Sequence, residues 1–183
     1  MLIGPLRHRF TALERAQEQG IGHYFVPRYT RVVDTADSKD DINKAYSLIS
    51  TSKVRNEMII SYVKKSIELN QTPVILTRFK EHAKLLYDAL KNEADHVFLL
   101  YGDNSDKENA EIRVKLKQVP KNESLILVAT GQKIGEGFDF PRLDVLMLAA
   151  PVSFEGRLEQ YVGRLNRDYE GKEAVYVYDY IDA

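Results

Sequence analysis

Two clusters in this 183-residue chain have the residue types and spacing to do chemistry. The first is Thr130-Gly-Gln-Lys-Ile-Gly-Glu-Gly-Phe-Asp139, with glycines at Gly131, Gly135 and Gly137. Glycines so placed let the backbone approach a ligand closely and turn main-chain amides toward a phosphate. The same run also suits a loop that turns sharply and leaves Asp139 in solvent; it is not a P-loop, because no Gly-Lys-Ser/Thr follows. The second cluster lies on a stretch whose spacing predicts a helix over 154–166. Leu158, Tyr161, Val162 and Leu165 form one apolar face, while Gln160, Gly163, Arg164 and Arg167 repeat the same spacing roughly 200° around. Two guanidinium groups a turn apart suit a triphosphate, since each can bond phosphate oxygens bidentately, and Gly163 keeps that face open. The alternative is a solvated face with Arg164 and Arg167 paired to Glu159 or Asp168. The glycine between Gln160 and Arg164, and the nearby Thr/Gly/Asp loop, weigh against it.

These clusters need elements to position them. TPVILT (72–77), HVFLLY (96–101), ESLILVAT (123–130), DVLMLAA (144–150) and EAVYVYDYI (173–181) are short apolar runs. The first four are continuous rather than alternating, as strands covered on both faces should be. Helical stretches are predicted between them at 79–92, 105–118 and 154–166; in the first, Phe79, Ala83, Leu86 and Leu90 repeat at four, three and four. Strand and helix in alternation with short connections predict an α/β fold: an open, mostly parallel sheet with helices on both faces. Ligands of such sheets sit beyond the carboxyl ends of the strands. The residues to watch are therefore Thr77-Arg78, Tyr101-Gly102-Asp103, Thr130-Gly131-Gln132 and Pro151 onward.

The first seventy residues read differently. Thr11 and Glu14 have capping-box spacing for a helix ended by Gly20 and Gly22. Residues 23–33 are aromatic and β-branched, hence extended, with Pro27 restricting them to an edge or a bend. The polar run 34–41 is the only plausible internal boundary. Residues 41–69 read as two helices, the second with Ile59, Val63 and Ile67 on one face. Arg28-Tyr29-Thr30-Arg31 is either a minor basic-aromatic contact or an edge strand with solvated arginines.

Composition narrows the field. Twenty-six basic residues against 27 acidic ones leave a net charge of −1, which excludes a binder that works by bulk positive charge but not a local basic track. With no cysteine there are no disulfides, thiolate zinc sites or cysteine nucleophiles. His8, His23, His82 and His96 are too scattered to suggest a metal site, and no stretch reaches the 18 apolar residues of a membrane span. The N-terminus lacks a signal-peptide apolar region, so the expected location is the cytoplasm. Met1 is followed at once by an apolar stretch and Pro5, an opening that suits a natural start or a cut through a longer protein.

Taken together, the clusters resemble the C-terminal RecA-like lobe of superfamily 2 helicases and translocases over roughly residues 72–181. Thr77-Arg78 resembles helicase motif IV, and Val128-Ala-Thr130 with Gly137-Phe-Asp139 resembles motif V. Gln160-Tyr-Val-Gly163-Arg164-Leu-Asn-Arg167 resembles motif VI in its Q-x-x-G-R-x-x-R form. The resemblance implies that Arg167 is the arginine finger and Arg164 its companion on the γ-phosphate of ATP. Gln160 would position that phosphate or link it to motif V, Gly163 would leave it room, and Gly137 and Asp139 would line the nucleotide cleft. Thr77, Arg78, Thr130 and Gly131 would hold phosphates of one nucleic-acid strand. Tyr161 and Asn166 stand where DEAD-box and DEAH-box proteins usually have Arg and Gly, so the chain looks closer to DNA-translocating branches such as helicase-like restriction subunits, and DNA is favoured over RNA.

The resemblance divides the chain into residues 1–70, an inter-lobe connection plus helices completing the domain, and residues 71–183, the lobe proper. A superfamily 2 motor also needs a P-loop lysine and an adjacent acidic pair for Mg²⁺. The sequence has neither GxxxxGK[ST] nor an Asp-Glu dipeptide. The expectation is that ATP is shared with an N-terminal lobe of the same protein, that Mg²⁺ sits on that lobe, and that this chain alone does not hydrolyse ATP. The other reading is a stand-alone, non-hydrolysing nucleotide- or nucleic-acid-binding module.

Overall fold

The computed structural model describes residues 22–29, 52–130, 141–149 and 174–181. Six strands form one sheet in the order β1-β6-β5-β2-β4-β3, every neighbouring pair parallel. The strands are β1 (Gly22–Tyr29), β2 (Pro73–Thr77), β3 (His96–Leu100), β4 (Leu125–Thr130), β5 (Val145–Leu148) and β6 (Ala174–Ile181). The described helices are α1 (Lys53–Glu68), α2 (Lys80–Leu90) and α3 (Asp106–Gln118).

Every residue of β2, β4 and β5 is buried, which accounts for their unbroken apolar runs. Alternation along the strands sorts their side chains into two layers. Val74, Leu76, Leu125, Leu127, Ala129, Leu146 and Leu148 pack with Leu116 of α3. Ile75, Ile126, Val128, Val145, Met147, Ala149 and Tyr180 pack with Ile59 and Val63 of α1 and with Ala83, Leu86 and Leu90 of α2. Helices therefore cover both faces, as expected of an α/β fold. Pro27 falls in β1, an edge strand, where the missing amide is tolerated.

Helix ends follow local chemistry. Ser52 caps α1 by accepting from the Arg55 amide. The helix closes with Asn70 at φ 57°, the Asn70 amide bonding Ile67 O and the Gln71 amide bonding Ser66 O; this is a Schellman ending, and Asn tolerates the left-handed position better than most residues. Ser105 and Glu108 form a reciprocal capping box on α3, at 3.2 and 2.7 Å. Phe79 is extended rather than helical and makes no side-chain capping bond, so α2 starts one residue after the predicted stretch. The box at Thr11–Glu14, the first helix within 41–69 and the helix at 154–166 lie outside the described residues.

At the amino ends of the strands Arg142 is the tie. Its guanidinium donates to the carbonyls of Val119, Pro120 and Glu123 and to Thr72 Oγ1, while Asp144 accepts from the Thr72 amide. The chain entering β2 and the turn entering β4 are thereby fastened to the turn entering β5.

Candidate functional site

The opposite edge, at the carboxyl ends of the strands, carries the predicted contact residues. Thr77 and Thr130 are direct register partners at the ends of β2 and β4, and both are buried. Arg28 and Tyr180 are partners on β1 and β6. Because Leu148 pairs with Asp179 on one side and with Leu76 on the other, Ala149 falls level with both Tyr180 and Thr77. One row thus crosses the sheet: Arg28, Tyr180, Ala149, Thr77, Thr130. Tyr180 and Ala149 face α1 and α2, and strand alternation puts Thr77 and Thr130 on the same side as Ile75 and Val128.

The Thr77 hydroxyl is engaged inward. Its Oγ1 lies 2.8 Å from His82 Nδ1, and His82 Nε2 lies 2.8 Å from Asn56 Oδ1. Asn56 Oδ1 only accepts, so Nε2 carries the proton and Nδ1 accepts from Thr77. His82 is almost fully buried, and burial, with the Arg55 charge as a second cause, pushes its pKa down to about 4. The imidazole is therefore neutral near pH 7, as the relay from Thr77 to His82 to Asn56 requires.

Arg55, next to Asn56 in the first turn of α1, is also completely buried. Its Nη1 donates to the Ala149 carbonyl, and its guanidinium lies 5.8 Å from the Tyr180 ring centroid. Two consecutive residues of α1 thus hold the outgoing ends of two adjacent strands, β2 and β5. Beyond β3, Asn104 donates to Leu99 O and Asn109 Oδ1, and Asn109 to Tyr101 O and Asn104 O. On that braced turn Asp103 pairs with Lys80 at the start of α2. The hydrogen bond and charge of Asp103 raise the pKa of Lys80.

The structure thus brings Thr77 and Thr130 side by side and leaves Arg78 exposed just beyond β2. Gly131, Gly137, Asp139, Gln160, Gly163, Arg164 and Arg167 lie outside the described residues. Sequence reasoning missed Arg55, Asn56 and His82. The available signal was a run of polar residues on the apolar faces of α1 and α2: Arg55 and Asn56 stand four and three before Ile59, and His82 stands four before Leu86. Among the described residues no cluster of three His, Cys, Asp or Glu could hold a metal ion, and no helix is long and apolar enough to cross a membrane.

No protein-family model matches the chain. Among curated proteins it is similar to the transcript termination protein A18 of Myxoma virus (strain Lausanne), 24% identical over 168 residues, which covers 86% of this chain and 34% of that protein. The chain spans about a third of the length of this relative. Coverage of that extent reaches well into the first seventy residues. Among solved structures, T4 UvsW superposes with a TM-score of 0.69 at 24% identity, covering 87% of this chain and 32% of that one. The Sulfolobus solfataricus SWI2/SNF2 ATPase core in complex with dsDNA gives 0.65 at 12%, covering 88% and 41%. Mss116p DEAD-box helicase domain 2 bound to an RNA duplex gives 0.62 at 16%, covering 87% and 54%. An all-parallel six-stranded sheet with helices on both faces, matched to these proteins over most of its length, has a RecA-like α/β fold, similar to that of these helicase and SWI2/SNF2 ATPase structures.

Proposed function

We propose that the chain is the second motor lobe of an ATP-dependent nucleic-acid helicase or translocase, with DNA favoured over RNA as the strand held. The observation that carries the reading is the row at the carboxyl edge, with Thr77 and Thr130 in register beside each other on a fold shared with proteins solved on a DNA and on an RNA duplex. Ligands of open parallel sheets bind at this edge.

The donors on this chain are of the phosphate-binding kind: guanidinium groups, hydroxyls and glycine amides. ATP would supply the γ-phosphate whose transfer to water drives the cycle. Arg167 and Arg164 would bond its oxygens, Gln160 would position it, and Gly163, Gly137 and Asp139 would shape the cleft around the nucleotide. The carboxylates for Mg²⁺ and the P-loop lysine would come from an N-terminal lobe. Contacts made by Arg164 and Arg167 only while the lobes are closed would be lost on hydrolysis, so the cleft would reopen once per turnover. Thr130, Gly131 and Arg78 would hold strand phosphates. Because the Thr77 hydroxyl donates to His82, the end of β2 would reach a phosphate chiefly through main-chain amides, and a strand held by a few local contacts can be released at each step.

The test is ATP turnover by the complete protein with single-stranded and duplex DNA and RNA, beside the 183-residue chain alone. Stimulation by nucleic acid in the first and negligible turnover in the second are expected. Robust turnover by the isolated chain would overturn the shared-site account. No turnover by the complete protein with any nucleic acid would favour the non-hydrolysing module.

A further inference from the structure

Arg28 stands at the far end of the row that contains Thr77 and Thr130. Its guanidinium carbon lies 4.7 Å from the Tyr62 ring centroid and 5.9 Å from that of Tyr178. The rings enclose it together: Tyr62 and Tyr178 are 5.4 Å apart at 35°, and Tyr62 and Tyr180 are 6.4 Å apart. Arg28 Nε is buried and has no hydrogen-bond partner, and among the described residues no carboxylate pairs with Arg28. Arg55, the other arginine stacked on this tyrosine group, differs in that it donates to a strand carbonyl.

An arginine held this way is unusual in its balance. Contact with a ring face compensates the charge only in part, and an unmade N–H bond in a buried place is costly. The contact with the Tyr62 ring takes up none of the guanidinium's N–H donors, and a planar fork of such donors matches the paired oxygens of a phosphate. The cage also fixes a long side chain that would otherwise lose freedom on binding.

Position selects the ligand. Arg28 is three strands from Thr77 in the order β1-β6-β5-β2, or about 14 Å at the usual strand spacing. A stacked nucleic-acid strand covers that distance in about four nucleotides. We propose that Arg28 is a phosphate contact for the nucleic-acid strand, held in place by Tyr62 and Tyr178 at the end of the row opposite Thr130. This rests on the strand-holding role proposed above and adds a site to it.

Binding of a fluorescently labelled oligo(dT) strand by the chain, measured by anisotropy across a salt series, tests it. Arg28→Met is expected to weaken binding about tenfold at low salt and to reduce the slope of log K against log salt by about 0.7, the loss of one phosphate from a single strand. Arg28→Lys should keep the slope and recover part of the affinity. Arg28→Gln gives the same readout as Arg28→Met should the methionine variant not fold. Wild-type affinity and slope in Arg28→Met or Arg28→Gln would overturn the Arg28 site alone, and would leave a protein carboxylate as the group it meets. An unsubstituted chain that binds no strand would overturn the strand-holding role as well.

Discussion

Thr77 of β2 donates a hydrogen bond from its hydroxyl to His82 of α2 across 2.8 Å of buried space. That bond orients the last side chain of the central strand, and Asn56 on α1 completes it from the other side of the imidazole. A strand end at the carboxyl edge of the sheet is thereby fixed by two helices rather than left to solvent.

His82→Ala should therefore destabilise the chain by about 2–4 kcal/mol, since it opens a cavity and removes a partner from both Thr77 and Asn56. Urea unfolding reads this as a lower midpoint at unchanged slope. An unchanged midpoint would show that the relay contributes nothing.

Stability should also fall with acid in a defined window. His82 titrates at about 4 in the folded chain against 6.5 as a free side chain, so the unfolded state binds the extra proton between those values. Its contribution is complete above about pH 6.5, declines as the pH drops and levels off below about pH 4, a total of roughly 3 kcal/mol. Unfolding free energies from pH 7.5 to 4, compared with His82→Gln, isolate the effect; the glutamine variant should show a flatter profile, and identical profiles would contradict it.

Arg55→Ala should cost about 3 kcal/mol, because the Ala149 carbonyl loses its buried donor and Tyr180 loses the group stacked on it. Arg55→Lys should recover little of this, since an ammonium has no planar face to lay on the ring. Thermal melting of the two variants decides; full recovery by lysine would reduce the role of Arg55 to charge alone.

Much of the fold was legible because burial on both faces writes itself into β2, β4 and β5 as unbroken apolar runs, and Pro27 limited β1 to an edge or a bend, of which the structure shows the edge. The helical stretch expected at 105–118 holds α3, whose start the structure fixes with the Ser105–Glu108 capping box. The polar relay was not legible. His82 meets Asn56 from 26 residues away, and Arg55 meets Ala149 from 94, and no periodicity connects positions brought together only by the crossover of helices onto a sheet. The same reason explains why the first seventy residues showed no motif although the similarity to a viral protein extends into them. There β1 and α1 supply an edge strand and a packing face, and such roles constrain hydrophobicity more than identity. Thr77 and Thr130 were each legible as strand ends, but their register beside one another came only with the strand order.

In the proposed function this lobe completes an ATP site with Arg167. Nucleic-acid-stimulated ATP turnover of the complete protein carrying Arg167→Ala tests it most directly, with circular dichroism as the control for folding. The predicted result is a fold like that of the unsubstituted protein and a rate lower by about 10³–10⁵, or roughly 4–7 kcal/mol of barrier. Unchanged stimulated turnover would contradict the account.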